Sequence, residues 1–135
     1  MFSRFNPASR RVLRIAEQEC RNHSQYYVGA EHLLVALLEV RDPSVMQILD
    51  AAGIDVREVH AQARRALAAG GDRVWEGILV TPRLRKIITL AEARAGEREI
   101  APLDLFEALR LEGASLAAEV LRRAQGARNT APAAE

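Results

Sequence analysis

The chain has 135 residues, which is about the length of one domain. Apolar residues make up 49% of it and aromatic residues only 4%, so we expect an all-α fold with an aliphatic core rather than a β-sandwich. A formal charge of +1 gives no field that would attract nucleic acid, and the single cysteine excludes an intrachain disulfide. No run approaches the roughly 18 apolar residues of a membrane span, and no N-terminal signal core is seen, so a cytoplasmic protein is expected.

Four helices are predicted in the first half of the chain. Asn6 and Pro7 place a capping side chain before a proline whose missing N–H costs nothing at a helix start. A second helix follows in "EHLLVALLEV", whose leucines form an apolar face. Asp42 begins a third helix, and Asp55 with Glu58 three residues later is typical of the capping box of a fourth.

The second half of the sequence repeats the first. "VTPRLRKIITLAE" at 80–92 aligns with "FNPASRRVLRIAE" at 5–17, so Pro82 follows Pro7 by 75 positions. At a spacing of 72, "IAPLDLFEALR" aligns with "VGAEHLLVALL", and "VLRRAQ" aligns with "ILDAAG". We therefore expect two tandem pseudo-twofold repeats of a helical bundle, seven helices in all, with no clear fourth helix in the second repeat. The helices of that repeat are predicted at 82–95, about 102–111 and about 115–125.

This pattern predicts the domain organisation. Residues 1–69 form the first repeat and 80–125 the second, joined by a linker at 70–79 that has at most a short strand near its end. Residues 126–135, "GARNTAPAAE", have no apolar periodicity and are predicted to be a flexible tail.

The pair Glu31 and His32 is the first candidate for chemistry. A metal-binding helix with H-E-x-x-H spacing needs a second ligand one turn later, but Val35 and Ala36 stand there. Cys20 falls on the apolar face of the first helix, so we expect a core residue rather than a nucleophile. No phosphate-binding glycine loop is present. No catalytic residue, no metal and no cofactor are therefore expected.

Two interpretations of Glu31 remain open on residue chemistry. Its carboxylate can complement the dipole of the second helix, while His32 packs or makes a local hydrogen bond. Alternatively, the carboxylate can pair with a guanidinium while nearby backbone N–H groups bind an anion. A phosphorylated arginine carries both charges.

The segments "FNPASRRVLRIAEQE", "YYVGAEHLLVALL" and the copy "VTPRLRKIITLAE" together resemble the N-terminal domain of Clp-family AAA+ unfoldases, most closely the ClpC type. The resemblance covers roughly residues 2–125. It implies an all-helical domain of two four-helix repeats that has no catalytic activity of its own. Such a domain sits on the ATPase ring and binds substrate or adaptor proteins destined for degradation.

In the ClpC type, the acid of each "GTEH" turn takes part in binding phosphorylated arginine. By that resemblance Glu31 matches the acid and His32 the histidine, while Ala30 replaces the threonine. In the second repeat Leu103 stands in place of the acid and Asp104 in place of the histidine. The resemblance thus implies one altered site and one lost site.

The resemblance also implies an adaptor surface near the start of the first helix and the junction of the repeats, at Phe2, Arg4, Phe5 and Val80. The two phenylalanines either cover the core or serve as exposed binding anchors.

The leading interpretation is a recognition module of a Clp unfoldase–protease system, either cut from a longer unfoldase or a stand-alone relative that sequesters or modulates Clp partners. An alternative of another class is a helical nucleic-acid-binding protein. Acids elsewhere balance its basic clusters, so a solvated helix face explains them better, and neither nucleic acid nor membrane is expected as a partner. These clusters are Arg10, Arg11 and Arg14, and Arg83, Arg85 and Lys86.

Overall fold

A computed structural model of the chain describes residues 4–23, 27–67 and 79–130. Within these ranges the chain forms seven helices and two short strands, which confirms the predicted all-α class. In chain order the elements are α1 (Pro7–Asn22), β1 (Tyr27–Val28), α2 (Ala30–Val40), α3 (Pro43–Ala51), α4 (Val56–Ala66), β2 (Leu79–Val80), α5 (Pro82–Ala95), α6 (Pro102–Glu112) and α7 (Leu116–Thr130).

The helices begin where the capping residues predict. The Asn6 side chain accepts a hydrogen bond from the Ser9 N–H at 2.8 Å, and the Thr81 hydroxyl accepts one from the Leu84 N–H at 3.1 Å. In both helices a proline occupies the first helical position, where its missing N–H has no partner to lose. The first helices of the two repeats therefore start in the same way.

The two repeats are joined by the same backbone pairing made twice. β1 and β2 run parallel, with Val28 opposite Val80. A second parallel bridge places Phe5 opposite Ile100. Under the repeat, Phe5 corresponds to Val80 and Val28 to Ile100. Each repeat thus pairs the chain entering its first helix with the chain entering the second helix of the other repeat.

Hydrogen bonds repeat this symmetry. The Thr81 N–H donates to the Val28 carbonyl at 3.0 Å, and the Asn6 N–H donates to the Ile100 carbonyl at 3.0 Å. The pairing was not predicted from the sequence, apart from a short strand at the end of the linker. Because both repeats contribute to both pairings, they form one interlocked core.

Helix α2 lies at the centre of that core. Its residues from Leu33 to Leu38 are all buried, as expected for a helix that is apolar on every side. Helix α1 packs on one side of it and α4 on another, and α5 packs on α6 in the equivalent arrangement.

The second repeat departs from the first at its end. In the first repeat, Gly53 has a φ of +71°, and the chain turns there from α3 into α4. Its counterpart is Gln125, and α7 continues as a helix to Thr130. The prediction that this helix ends near residue 125 is therefore wrong. Within the described residues α4 has no counterpart. Residues 70–78 of the predicted linker at 70–79, and residues 131–135 of the predicted tail at 126–135, lie outside them.

Phe5 is fully buried, so of its two interpretations the structure supports core cover. We expect Phe5→Ala to lower the free energy of unfolding by about 3–5 kcal/mol, as for other buried aromatic residues. Val80→Ala changes the equivalent, partly buried position and is expected to cost less. Urea denaturation followed by circular dichroism measures both, and equal losses in the two variants would contradict this assignment.

Candidate functional site

His32 is a structural residue of the first turn of α2. It is 1% exposed, and its Nδ1 accepts a hydrogen bond from the Gly29 N–H at 3.1 Å. Its ring packs edge-on against Tyr27, with ring centroids 5.6 Å apart. Burial, followed by the charge of His23, lowers the pKa of His32 to about 4. The imidazole is therefore neutral near pH 7 and satisfies a helix N-terminus.

Asp104 caps the start of α6 in the second repeat, as His32 caps the start of α2. Its carboxylate accepts a hydrogen bond from the Ala101 N–H at 2.9 Å, in the position that His32 occupies in α2. Arg98 binds both carboxylate oxygens, at 2.8 and 2.9 Å, and Arg94 lies 3.2 Å away. Burial raises the pKa of Asp104, but the bonds from Arg98 and the Ala101 N–H outweigh it and the net pKa lies below its usual range.

Glu31 reaches from α2 to the N-terminus of α7. Its half-buried carboxylate lies near its own N–H and the Ala117 N–H, and Arg83 lies close enough to act on its charge. Burial nevertheless raises the pKa of Glu31 above its usual range. The Ser115 hydroxyl accepts from the Ala118 N–H at 3.0 Å. The start of α7 therefore has one capping side chain, Ser115, and the Glu31 carboxylate beside it.

The start of α3 shows why the second repeat needs no such acid. There the Asp42 carboxylate alone accepts from both the Ser44 N–H, at 3.1 Å, and the Val45 N–H, at 3.3 Å. Val45 corresponds to Ala117 in the repeat, and Leu103 corresponds to Glu31. Leu103 packs against the core instead. The serine cap does not bond the Ala117 N–H, which lies near Glu31, whereas the aspartate cap already bonds the equivalent Val45 N–H.

Arg83 lies near two carboxylates. Its Nε is 3.6 Å from Glu112 Oε2, and it also acts on the charge of Glu31. The Glu112 side chain is only 5% exposed, and its other oxygen accepts from the Ala114 N–H at 3.1 Å. We call Glu31, Arg83, Glu112 and the Ala117 N–H the Glu31 cluster. Two carboxylates against one guanidinium leave one negative charge, which a further cationic group can neutralise.

Neither His32 nor Cys20 is placed to act in nucleophilic catalysis. His32 is buried in its cap, and Cys20 is buried in α1 with its Sγ donating to the Tyr27 carbonyl at 2.9 Å. Burial raises the pKa of the Cys20 thiol, so the thiolate that a nucleophile requires is disfavoured. Across residues 4–23, 27–67 and 79–130, no group of three or more His, Cys, Asp or Glu side chains is placed to hold a metal ion.

The residues predicted for an adaptor surface belong to two different pairings. Phe5 is buried opposite Ile100, whereas Val80 is partly buried opposite Val28. Arg4 donates to the carbonyls of Gly96 and Arg98 and lies 3.9 Å from Glu92, so it ties the start of the chain to the end of α5. Phe2 lies outside the described residues. Ala30, predicted beside Glu31, is buried and offers only packing.

The basic clusters proposed for nucleic acid differ in their surroundings. Arg10, Arg11 and Arg14 are exposed on α1. In the other cluster Arg83 is paired with Glu112 and forms part of the Glu31 cluster. The sequence predicts Arg83 as a solvated residue and gives no role to Glu112. Nothing in the spacing of the two residues indicates that they meet.

The fold is a duplicated all-helical domain whose two halves pair their entry segments. The chain belongs to the Clp repeat (R) N-terminal domain family, which it matches over residues 4–124.

Relatives and solved structures agree with this assignment. The chain is 27% identical over 124 residues to the chaperone protein ClpC, chloroplastic, of Pisum sativum, which covers 90% of this chain and 13% of that protein. It is 29% identical to chloroplastic ClpC1 of Arabidopsis thaliana, with the same coverage. The crystal structure of the N-terminal domain of the caseinolytic protease associated chaperone ClpD from Arabidopsis thaliana superposes with a TM-score of 0.68 at 19% identity, covering 91% of this chain and 86% of that one. A chain from structural investigations of a malarial protein secretion system gives a TM-score of 0.73 at 14% identity, covering 90% and 85%.

The chain therefore spans about 13% of the length of these curated relatives. No helix within residues 4–23, 27–67 and 79–130 is long and apolar enough to cross a membrane.

The low pKa of His32 predicts an acid-sensitive fold. The folded pKa is about 4 and the ordinary value 6.5, so between these values the unfolded chain binds the proton more readily. Stability is kept above pH 6.5 and falls toward pH 4 by on the order of 3 kcal/mol. We expect His32→Asn, which can still accept from the Gly29 N–H, to flatten this dependence.

Urea denaturation of both proteins at a series of pH values measures the effect. The carboxylates titrate in both proteins and cancel in the comparison. Parallel stability curves between pH 4 and 6.5 would show that His32 does not carry the acid sensitivity.

Proposed function

We propose that this chain is a substrate- or adaptor-recognition module of a Clp unfoldase–protease system, and that it binds proteins destined for unfolding and degradation. Membership of the Clp N-terminal domain family supports the general role. The observation that carries the proposal is the Glu31 cluster, where a half-buried carboxylate lies at the N-terminus of α7 beside one arginine. Such a site binds a charged side chain of another protein and transforms nothing.

We propose phosphorylated arginine as the side chain that the cluster recognises. A guanidinium can pair with the carboxylates of Glu31 and Glu112, as in other charge-assisted pairs. The phosphate can bind the guanidinium of Arg83 near the start of α7, where the helix dipole favours an anion. The cluster thus offers both charges that this modified residue requires.

Glu31→Gln tests the carboxylate. The amide keeps the size and the hydrogen-bonding oxygen of the carboxylate beside the Ala117 N–H, so we expect stability to be nearly unchanged. Loss of the charge is expected to weaken binding of arginine-phosphorylated casein by about tenfold or more, the cost of one charge-assisted hydrogen bond. Isothermal titration calorimetry measures the dissociation constant, with Glu97→Gln as the matched change at an exposed acid. Equal affinity of the two variants would show that Glu31 is not part of a phosphoarginine site.

Arg83→Ala separates phosphoarginine from ordinary arginine. In the protein as it stands, Arg83 competes with any incoming guanidinium for the two carboxylates, but it attracts a phosphate. We therefore expect the variant to bind arginine-phosphorylated casein more weakly and an unmodified arginine-rich peptide more tightly. If Arg83→Ala changed the affinity for both ligands in the same direction, the site would not recognise both charges of phosphoarginine.

The wider setting is part of the proposal. The chain acts either as the recognition module of a longer unfoldase or as a separate protein that sequesters or modulates Clp partners, in association with an AAA+ ATPase ring. A cytoplasmic location is proposed from the single cysteine, whereas the named relatives are chloroplastic.

A further inference from the structure

The first repeat shows how a fourth helix covers the bundle, and the second repeat lacks that cover within the described residues. Helix α4 packs on α2 and α7. Its buried side chains are Val59 and Ala63, four residues apart, and the buried C-cap residue Leu67 continues the spacing. By the repeat, a helix equivalent to α4 would pack on α6 and α3. No described element occupies that place, because α7 runs straight through the position at which α3 turns into α4.

The surface of α6 exposes residues whose counterparts on α2 contact α4. In the first repeat, Glu39 of α2 bonds His60 of α4 at 3.1 Å. The counterpart of Glu39 is Leu111, which is 74% exposed. Leu38, buried beside α4, has Arg110 as its exposed counterpart. An apolar side chain is thus exposed where the first repeat makes a contact between helices.

An apolar cleft lies beside this surface, between α3, α6 and α7. Its volume is about 180 Å³, which is below the roughly 300–1,000 Å³ of small-molecule sites, so it suits a few protein side chains better than a cofactor. Its apolar lining includes Ile48, Ala52, Ile54, Phe106 and Leu121.

We propose that this cleft together with Leu111, the α6 groove, is the docking site for an amphipathic helix of a partner protein. The packing of α4 in the first repeat defines the shape of the occupant, which carries small or branched apolar side chains at four-residue spacing. Helix-in-groove recognition uses the same spacing between separate proteins. The occupant contacts Leu111 with an apolar residue at the position that His60 holds in α4.

The charges at the rim define the rest of the occupant. The Arg110 guanidinium lies over the Phe106 ring, 5.6 Å from its centre, and pairs with Glu107 at 2.9 Å. Arg122 is exposed, and its guanidinium donates to the Gly113 carbonyl at 2.7 Å. Both arginines line the cleft. The partner helix is therefore acidic on the sides of its apolar stripe, unlike α4, which carries arginines there.

A designed peptide tests this proposal directly. The probe is a fluorescein-labelled peptide with the sequence of residues 55–67, changed by His60→Leu and by replacing Arg57, Arg64 and Arg65 with glutamate. We expect saturable binding to the full chain by fluorescence anisotropy. A matched peptide that also carries Val59→Asp loses the apolar stripe and is expected to bind at least about tenfold more weakly, as for a buried contact at the centre of an interface.

Variants of the chain locate the binding. Ala52→Arg fills the cleft and Leu111→Ser removes the exposed contact, so each is expected to weaken binding of the probe about tenfold. Leu116→Ser removes another exposed leucine, on the side of α7 that faces α4, and is expected to leave binding unchanged. Circular dichroism confirms that the variants are folded. Glu31→Gln is also expected to bind the probe normally, so this proposal and the proposed function can fail separately.

Three results would overturn the α6 groove as a partner site. One is the absence of saturable binding of the designed peptide. Another is an equal loss of binding in Leu116→Ser and Leu111→Ser. The third is a dimer in sedimentation velocity that Leu111→Ser dissociates, which would make a second copy of this chain the occupant.

Discussion

The backbone N–H groups at the helix starts are the constraint on which this structure depends. α1, α2, α5 and α6 all begin at the junction of the repeats, where Phe5, Val28 and Ile100 are buried. A buried N–H without a partner costs about 1–3 kcal/mol, so each of these starts needs an acceptor. The two parallel backbone pairings and the side chains of His32 and Asp104 supply acceptors. Since each repeat provides partners for the other, the junction is complete only when both are folded.

The same constraint gives Glu31 two compatible roles. Its carboxylate lies beside an N–H of α7 and at the same time holds a charge on which Arg83 acts. The two interpretations left open by the sequence, a helix-capping acid and a binding acid, are therefore not exclusive. The capping role fixes the carboxylate at a helix N-terminus, which is the place where an anion can also bind. A residue placed at a helix N-terminus thus also lies in the position suited to recognition.

The repeat, the number of helices and most helix starts could be predicted because they depend on local signals. Asn6 and Thr81 with their following prolines mark a start whatever lies nearby. The two-residue strands were missed, apart from an expected extension before α5, since no period can be read from two residues. The contact between Arg83 and Glu112 joins two helices that meet only in the folded chain, so neither residue showed its partner. The end of α7 was misplaced because the segment after Gln125 has no apolar face, although a helix can continue without one.

The two repeats differ in ways that leave the requirements of the junction met. His32 and Asp104 differ in chemistry, but both accept a hydrogen bond from a backbone N–H at a helix start, because a buried N–H there needs an acceptor. Glu31 and Leu103 differ because the neighbouring cap, Ser115 or Asp42, decides whether an acceptor is still required. On the outer face of α6 no such requirement acts, and there an aliphatic residue and an arginine have replaced the glutamate and leucine of α2. The fold constrains the interior of both repeats equally, so differences on the outer face reflect what each repeat contacts: α4 in the first, and another polypeptide in the second.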